Sequence, residues 1–177
     1  IKAISSLLFN IDIEGLQKKD DTAVLRVIAK VFYNHLGFFG EDLKVAMLEK
    51  YVAECGKTEE FKRVFEKHKG MPWVTQRKAY AFNGKAVVAT LMEVLDMSEA
   101  DAQAWLKDKA AVNFSIASLV EDIKSYVNSK PKNFRLLFMI DEVGQYIGEN
   151  TSLLLNLQSI VEKLGSECQG KVWVMCT

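Results

Sequence analysis

Arg135-Leu136-Leu137-Phe138-Met139-Ile140-Asp141-Glu142 is an unbroken apolar run closed by two adjacent carboxylates. A short continuous apolar run suits a strand covered on both faces, as in the parallel sheet of an α/β domain, although periodicity alone leaves a buried helix open. The flanks favour the strand. Pro131 closes off what precedes it, and Gly144 with the Ser, Thr and Asn residues beyond it marks a loop immediately after. Ligands of open α/β sheets bind outside the carboxyl ends of the strands, so this reading puts Asp141 and Glu142 where the chemistry of such a fold takes place.

An apolar strand ending in two acids has the shape of a Walker B element. In a P-loop ATPase the first acid holds Mg²⁺, directly or through water, and a following Glu can polarise the water that attacks the γ-phosphate. The plainer alternative is that Asp141 only ends a buried strand and caps the next element, because short motifs of this kind recur without function.

The downstream sequence completes a unit. Leu153, Leu154, Leu157, Ile160, Val161 and Leu164 lie at helical spacing, with Thr151 or Ser152 available to cap the start and Gly165 to end the helix. Val172, Trp173, Val174, Met175 and Cys176 then form a second apolar strand that runs into Thr177. Strand, helix, strand is a crossover, which makes the two strands parallel.

Three segments carry a resemblance: Leu137-Phe-Met-Ile-Asp-Glu-Val-Gly-Gln-Tyr-Ile-Gly148, Leu154-Leu-Asn-Leu-Gln-Ser-Ile-Val-Glu162 and Gly170-Lys-Val-Trp-Val-Met-Cys-Thr177. Together they resemble the large P-loop ATPase of bacterial BREX phage-exclusion systems, relatives of the phage growth limitation ATPase. The resemblance implies an AAA-like, cytoplasmic, bacterial ATPase of antiviral defence that uses ATP and Mg²⁺ and works with other phage-defence proteins. It implies Asp141 as the Mg²⁺ residue, Glu142 as the catalytic acid and Thr177 as a γ-phosphate sensor. The departure from the family pattern is that no complete phosphate-binding loop occurs in the sequence.

Composition sets bounds on this reading. A hydrophobic fraction of 49% and a charged fraction of 26% belong to a folded globular chain and exclude a disordered one. The 23 basic and 23 acidic side chains cancel, which argues against a dedicated nucleic-acid-binding domain while leaving room for a local patch. Cys55, Cys168 and Cys176 are odd in number and lack CxxC spacing, so they read as reduced, mostly buried thiols of a cytosolic protein. No stretch reaches the roughly 18 apolar residues of a membrane span, and no membrane partner is expected. The start at Ile1 reads as that of a piece cut from a larger protein.

Upstream, residues 3–11 read as a strand with Asp12 near its carboxyl end, either facing a nucleotide or making a local backbone hydrogen bond. From Asp21 to Ser129 the pattern is helical. Asp21 or Thr22 caps a first helix that ends at Gly37, a second runs from Glu41 to Gly56, and Thr58 caps a third with His68 near its end. Pro72 starts a fourth through Trp73, Gln76, Ala79 and Tyr80, and further helices follow around residues 86–95, 98–108 and 115–129.

Gly56-Lys57-Thr58 spells the end of a phosphate loop, but Tyr51 stands where the loop needs glycine and a helix precedes it. It reads as a helix stop followed by the next cap. Lys62, Arg63, Lys67, His68, Lys69, Arg77, Lys78 and Lys85 make the middle locally basic; interleaved Glu59, Glu60 and Glu66 favour a solvated face over a contact to DNA or to a partner protein.

The assembled expectation is an α/β fold: a partial P-loop NTPase (AAA-like) core with a short parallel three-stranded sheet and a large helical insertion. Residues 1–20 supply the first core strand, 21–130 the insertion, and 131–177 the Walker B strand, crossover helix and sensor strand. The competing expectation is a non-catalytic helical module that binds partner protein or DNA.

Overall fold

The computed structural model describes residues 6–12, 22–107 and 114–177. The expected strand start at residues 3–5, the turn after Asp12, the cap Asp21 and the helix end at Asp108 lie outside them, as do the side chains of residues 6, 7 and 10–12. The elements are β1 (Ser6–Asp12), α1 (Ala23–His35), α2 (Leu43–Glu54), α3 (Thr58–Lys69), α4 (Trp73–Gln76), a 3₁₀ segment (Arg77–Asn83), α5 (Gly84–Leu95), α6 (Glu99–Lys107), α7 (Ile116–Asn128), β2 (Arg135–Asp141), α8 (Val143–Ile147), α9 (Thr151–Glu167) and β3 (Val172–Cys176). They fall into two compact units, one of Ile1–Phe32 with Phe114–Thr177, the other of Tyr33–Asn113.

The first unit carries the sheet. Its three strands are parallel in the order β1-β2-β3, with Leu8 beside Leu137 and Leu137 beside Trp173 in the register. Right-handed crossovers between strands that advance in one direction place their helices on one face. Accordingly α7 packs on α9 and α9 on β3. Under them lie Phe9, Leu136, Phe138, Ile140 and Val172, all buried, with the Phe9 and Phe138 rings 5.3 Å apart. A chain of edge-on rings, Phe32 to Tyr126 at 5.7 Å and Tyr126 to Phe134 at 6.0 Å, extends this core.

The other face corrects the expectation of a sheet covered on both sides. Leu8, Trp173 and Met175 are 56%, 61% and 51% exposed, and Leu137 and Met139 between them are half-buried. The apolar run is therefore double-sided in composition, but among the described residues only one side is covered.

Other corrections are local. Gly144 lies inside α8, not in a loop, because Val143, Tyr146 and Ile147 are apolar at helical spacing and buried. Asn150, not Thr151 or Ser152, caps α9 by accepting from the Leu153 N–H at 3.2 Å. Gly165 does not stop that helix, which continues to Glu167. Thr58 is the first residue of α3, with Lys57 at the cap position. The helix expected through Tyr80 breaks after Gln76 into the 3₁₀ segment, where Ala79 leaves helical geometry at φ −103° and ψ 32°. Of the three free thiols only Cys168 is buried; Cys55 and Cys176 are exposed. Desolvation holds the Cys168 and Cys176 thiols above their ordinary range.

The second unit is helical around Trp73, whose ring meets Phe61 at 5.2 Å, Phe65 at 4.9 Å and Tyr80 at 6.4 Å, each near edge-on. Val45, Leu48, Val52, Val64, Val87, Leu91, Val94 and Ala102 complete the cluster. The Trp73 indole N–H donates to Glu49 Oε1 at 2.7 Å, Arg77 Nη1 donates to the same oxygen at 3.1 Å, and the Phe39 N–H donates to Oε2 at 2.6 Å. One carboxylate thus ties α2 to α4 and to the loop before α2. Lys62, Lys67, His68 and Arg77 of the basic set each face a carboxylate, from Glu59, Glu93, Glu93 and Glu49 respectively. Gly56 follows α2 at φ +68°, so Gly56-Lys57-Thr58 joins two helices and is not a phosphate loop.

Removing the Glu49 carboxylate leaves three donors without their acceptor in a largely buried place. Glu49→Ala is expected to lower stability by about 2–4 kcal/mol in urea unfolding, and Glu49→Gln, which keeps an oxygen acceptor, by clearly less. Equal losses for the two variants would show that the hydrogen bonds do not hold the cluster.

Candidate functional site

The three residues singled out at the strand ends lie together. Asp141 is the last residue of β2, Glu142 follows it, and Thr177 follows β3. Their meeting is a consequence of register. Ile140 pairs with Cys176, so the next step along each strand brings Asp141 beside Thr177, and the Thr177 N–H donates to the Ile140 carbonyl at 3.1 Å.

The side chains then close a small network. The Thr177 hydroxyl donates to Asp141 Oδ1. The Glu142 N–H donates to the same Oδ1 at 3.0 Å and reaches Thr177 Oγ1 at 3.1 Å. The Gly144 N–H points to the Thr177 carbonyl at 3.4 Å. Asp141 Oδ1 is therefore engaged, while Oδ2 takes no hydrogen bond among the described residues. Asp141 and Thr177 are exposed, and Glu142 is half-buried. The β1 register puts the Asp12 backbone directly beside Asp141 at the same sheet end.

Glu142 adopts φ 58° and ψ 20°, the left-handed region, at the N-terminal cap position of α8. A residue with a Cβ pays about 1–2 kcal/mol for that conformation. The two hydrogen bonds of its N–H and the packing of Val143 behind it hold the turn. Nothing in the sequence announces this strain. The short helix that follows was detectable from the Val143, Tyr146, Ile147 spacing, but Gly144 pointed the other way.

The donor set is made of hard oxygens, a carboxylate and a hydroxyl, which suit Mg²⁺ and not a soft metal. Among the described residues no group of three or more His, Cys, Asp and Glu side chains could hold a metal ion. No helix among the described residues is long and apolar enough to cross a membrane. No protein-family model matches the chain, and no solved structure matches it.

The left-handed turn gives a direct test. Glu142→Gly and Glu142→Ala both remove the carboxylate, but only glycine enters that conformation freely. Urea unfolding should find Glu142→Gly more stable than Glu142→Ala by about 1 kcal/mol. Equal stabilities would mean that position 142 carries no backbone strain.

Proposed function

We propose that this chain is part of a P-loop ATPase of the AAA-like kind, in bacterial phage defence, and that it contributes the Mg²⁺ and water-activating acids and a sensor to the ATP site. The observation that carries the reading is the hydrogen-bonded convergence of Asp141, Glu142 and Thr177 at the carboxyl ends of two adjacent parallel strands. Asp141, through Oδ2 or a water on it, would hold the ion. The bound Mg²⁺ would supply charge neutralisation at the β- and γ-phosphate oxygens.

The chain's own residues would do the rest. The Glu142 carboxylate would orient a water and take its proton as the oxygen attacks the γ-phosphorus and the bond to the β-γ bridging oxygen breaks. Thr177 would read the γ-phosphate by turning its hydroxyl proton from Asp141 Oδ1 to a phosphate oxygen, and the change at Oδ1 would carry the signal to the Glu142 turn. The main grip on the phosphates is not among the described residues. The pleat puts Asp141 on the same side of the sheet as Leu137 and Met139, the uncovered apolar side. A phosphate-loop strand beside β3, with its helix laid across that side, would both bury Trp173 and Met175 and bring phosphates to the acids.

The test is Mg²⁺-dependent ATP turnover by the complete polypeptide, native against Glu142→Gln. Turnover should fall by at least about 100-fold while ATP binding persists, the loss general-base removal typically brings. The 177-residue chain alone should turn over ATP negligibly. Unchanged turnover in Glu142→Gln, or a complete polypeptide that never binds ATP, would leave Asp141 and Glu142 as structural residues and sink the proposal.

A further inference from the structure

The helical unit of Tyr33–Asn113 contains a cavity of about 410 Å³. This lies in the range of small-molecule sites, about 300–1,000 Å³. Its walls are mainly apolar and aromatic, with Phe38, Val52, Phe61 and Trp73 among them, and three charged side chains reach its lining: Glu49, Lys62 and Arg77.

The charged groups are unequal in what they have left to offer. Glu49 is committed, accepting from the Trp73 indole and Arg77 on one oxygen and from the Phe39 N–H on the other. Arg77 is not. A guanidinium carries five N–H donors in a fixed fork. Among the described residues Arg77 spends one of them, on Glu49, while its Cζ lies 4.9 Å from the centre of the Phe39 ring. Its side chain is only 22% exposed, so water has limited access to what remains. Lys62 adds a second positive charge, and the Glu59 that pairs with it is not part of the lining.

An orientated guanidinium with unspent donors, set in the wall of an apolar cavity, is complementary to a planar or tetrahedral oxyanion attached to an apolar body. Glu49 does not oppose this, because three donors already compensate it, and it fixes Arg77 in place. We propose that this cavity binds a small amphipathic anion, its ring or aliphatic part against Trp73, Phe61 and Val52 and its carboxylate, sulfonate or phosphate on Arg77. The site is independent of the ATPase reading, since every residue in it belongs to the helical unit.

The probes are 1-anilinonaphthalene-8-sulfonate and N-phenyl-1-naphthylamine, which share an aromatic body and differ by the sulfonate. Fluorescence titration of the 177-residue chain should give one saturable site, with the anionic probe bound at least tenfold more tightly than the neutral one. Arg77→Met should abolish that preference and leave the neutral probe's affinity within about threefold. Arg77→Lys keeps the charge and the Glu49 partner but loses the fork, and should reduce the preference severalfold; it serves if Arg77→Met does not fold by circular dichroism. Equal affinity for the two probes in the native chain, or a preference that survives both variants, overturns the proposal.

Discussion

The parallel register of β2 and β3 is the constraint on which the acidic strand end depends. Side chains alternate along a strand, so a slip of one residue would turn every side chain of β3 to the opposite face. Thr177 would then leave Asp141, and the Glu142 N–H would lose one of its two acceptors. The register is in turn pinned by the buried face, where Phe138 is seated beside Phe9 and Val172 beside Leu136 under α9. Core packing on one side of the sheet thus sets polar geometry at its end.

The strained turn at Glu142 is the point where local preference gives way to tertiary structure. A left-handed glutamate is unfavourable by itself, yet here it lets the chain pass from strand to helix within one residue. Val143 is buried at once, and the Glu142 carbonyl accepts the Tyr146 N–H at 3.0 Å, opening α8. Strain held at a turn of this kind, next to two other polar residues at a strand end, is where functional sites tend to lie.

Much of the fold was legible from residue order. The three apolar runs became the three strands, because apolar composition over five to seven residues combined with a helical crossover leaves few alternatives. The grouping of Asp141, Glu142 and Thr177 was legible for the same reason. Helix ends were less so: at α9 a carboxamide from Asn150 won over the hydroxyls of Thr151 and Ser152, and Gly165 was carried through because burial of Leu164 and Cys168 outweighs the roughly 1 kcal/mol a helical glycine costs. The uncovered sheet face was hidden, since composition says that a side chain is apolar and not whether anything lies on it. The Glu49, Trp73 and Arg77 cluster was hidden too; its members are 24 and 28 residues apart, and Arg77 read as one more charge on a solvated face.

The central claim, that the end of β2 serves a nucleotide-bound divalent ion, is tested most directly by Mn²⁺ binding to the complete polypeptide in the presence of ATP, followed by electron paramagnetic resonance. Asp141→Asn is the informative variant, because the amide oxygen can still accept from Thr177 and from the Glu142 N–H while the negative charge is gone. The account predicts an affinity for Mn²⁺ at least tenfold weaker in Asp141→Asn, with folding intact. Undiminished binding in that variant would contradict it.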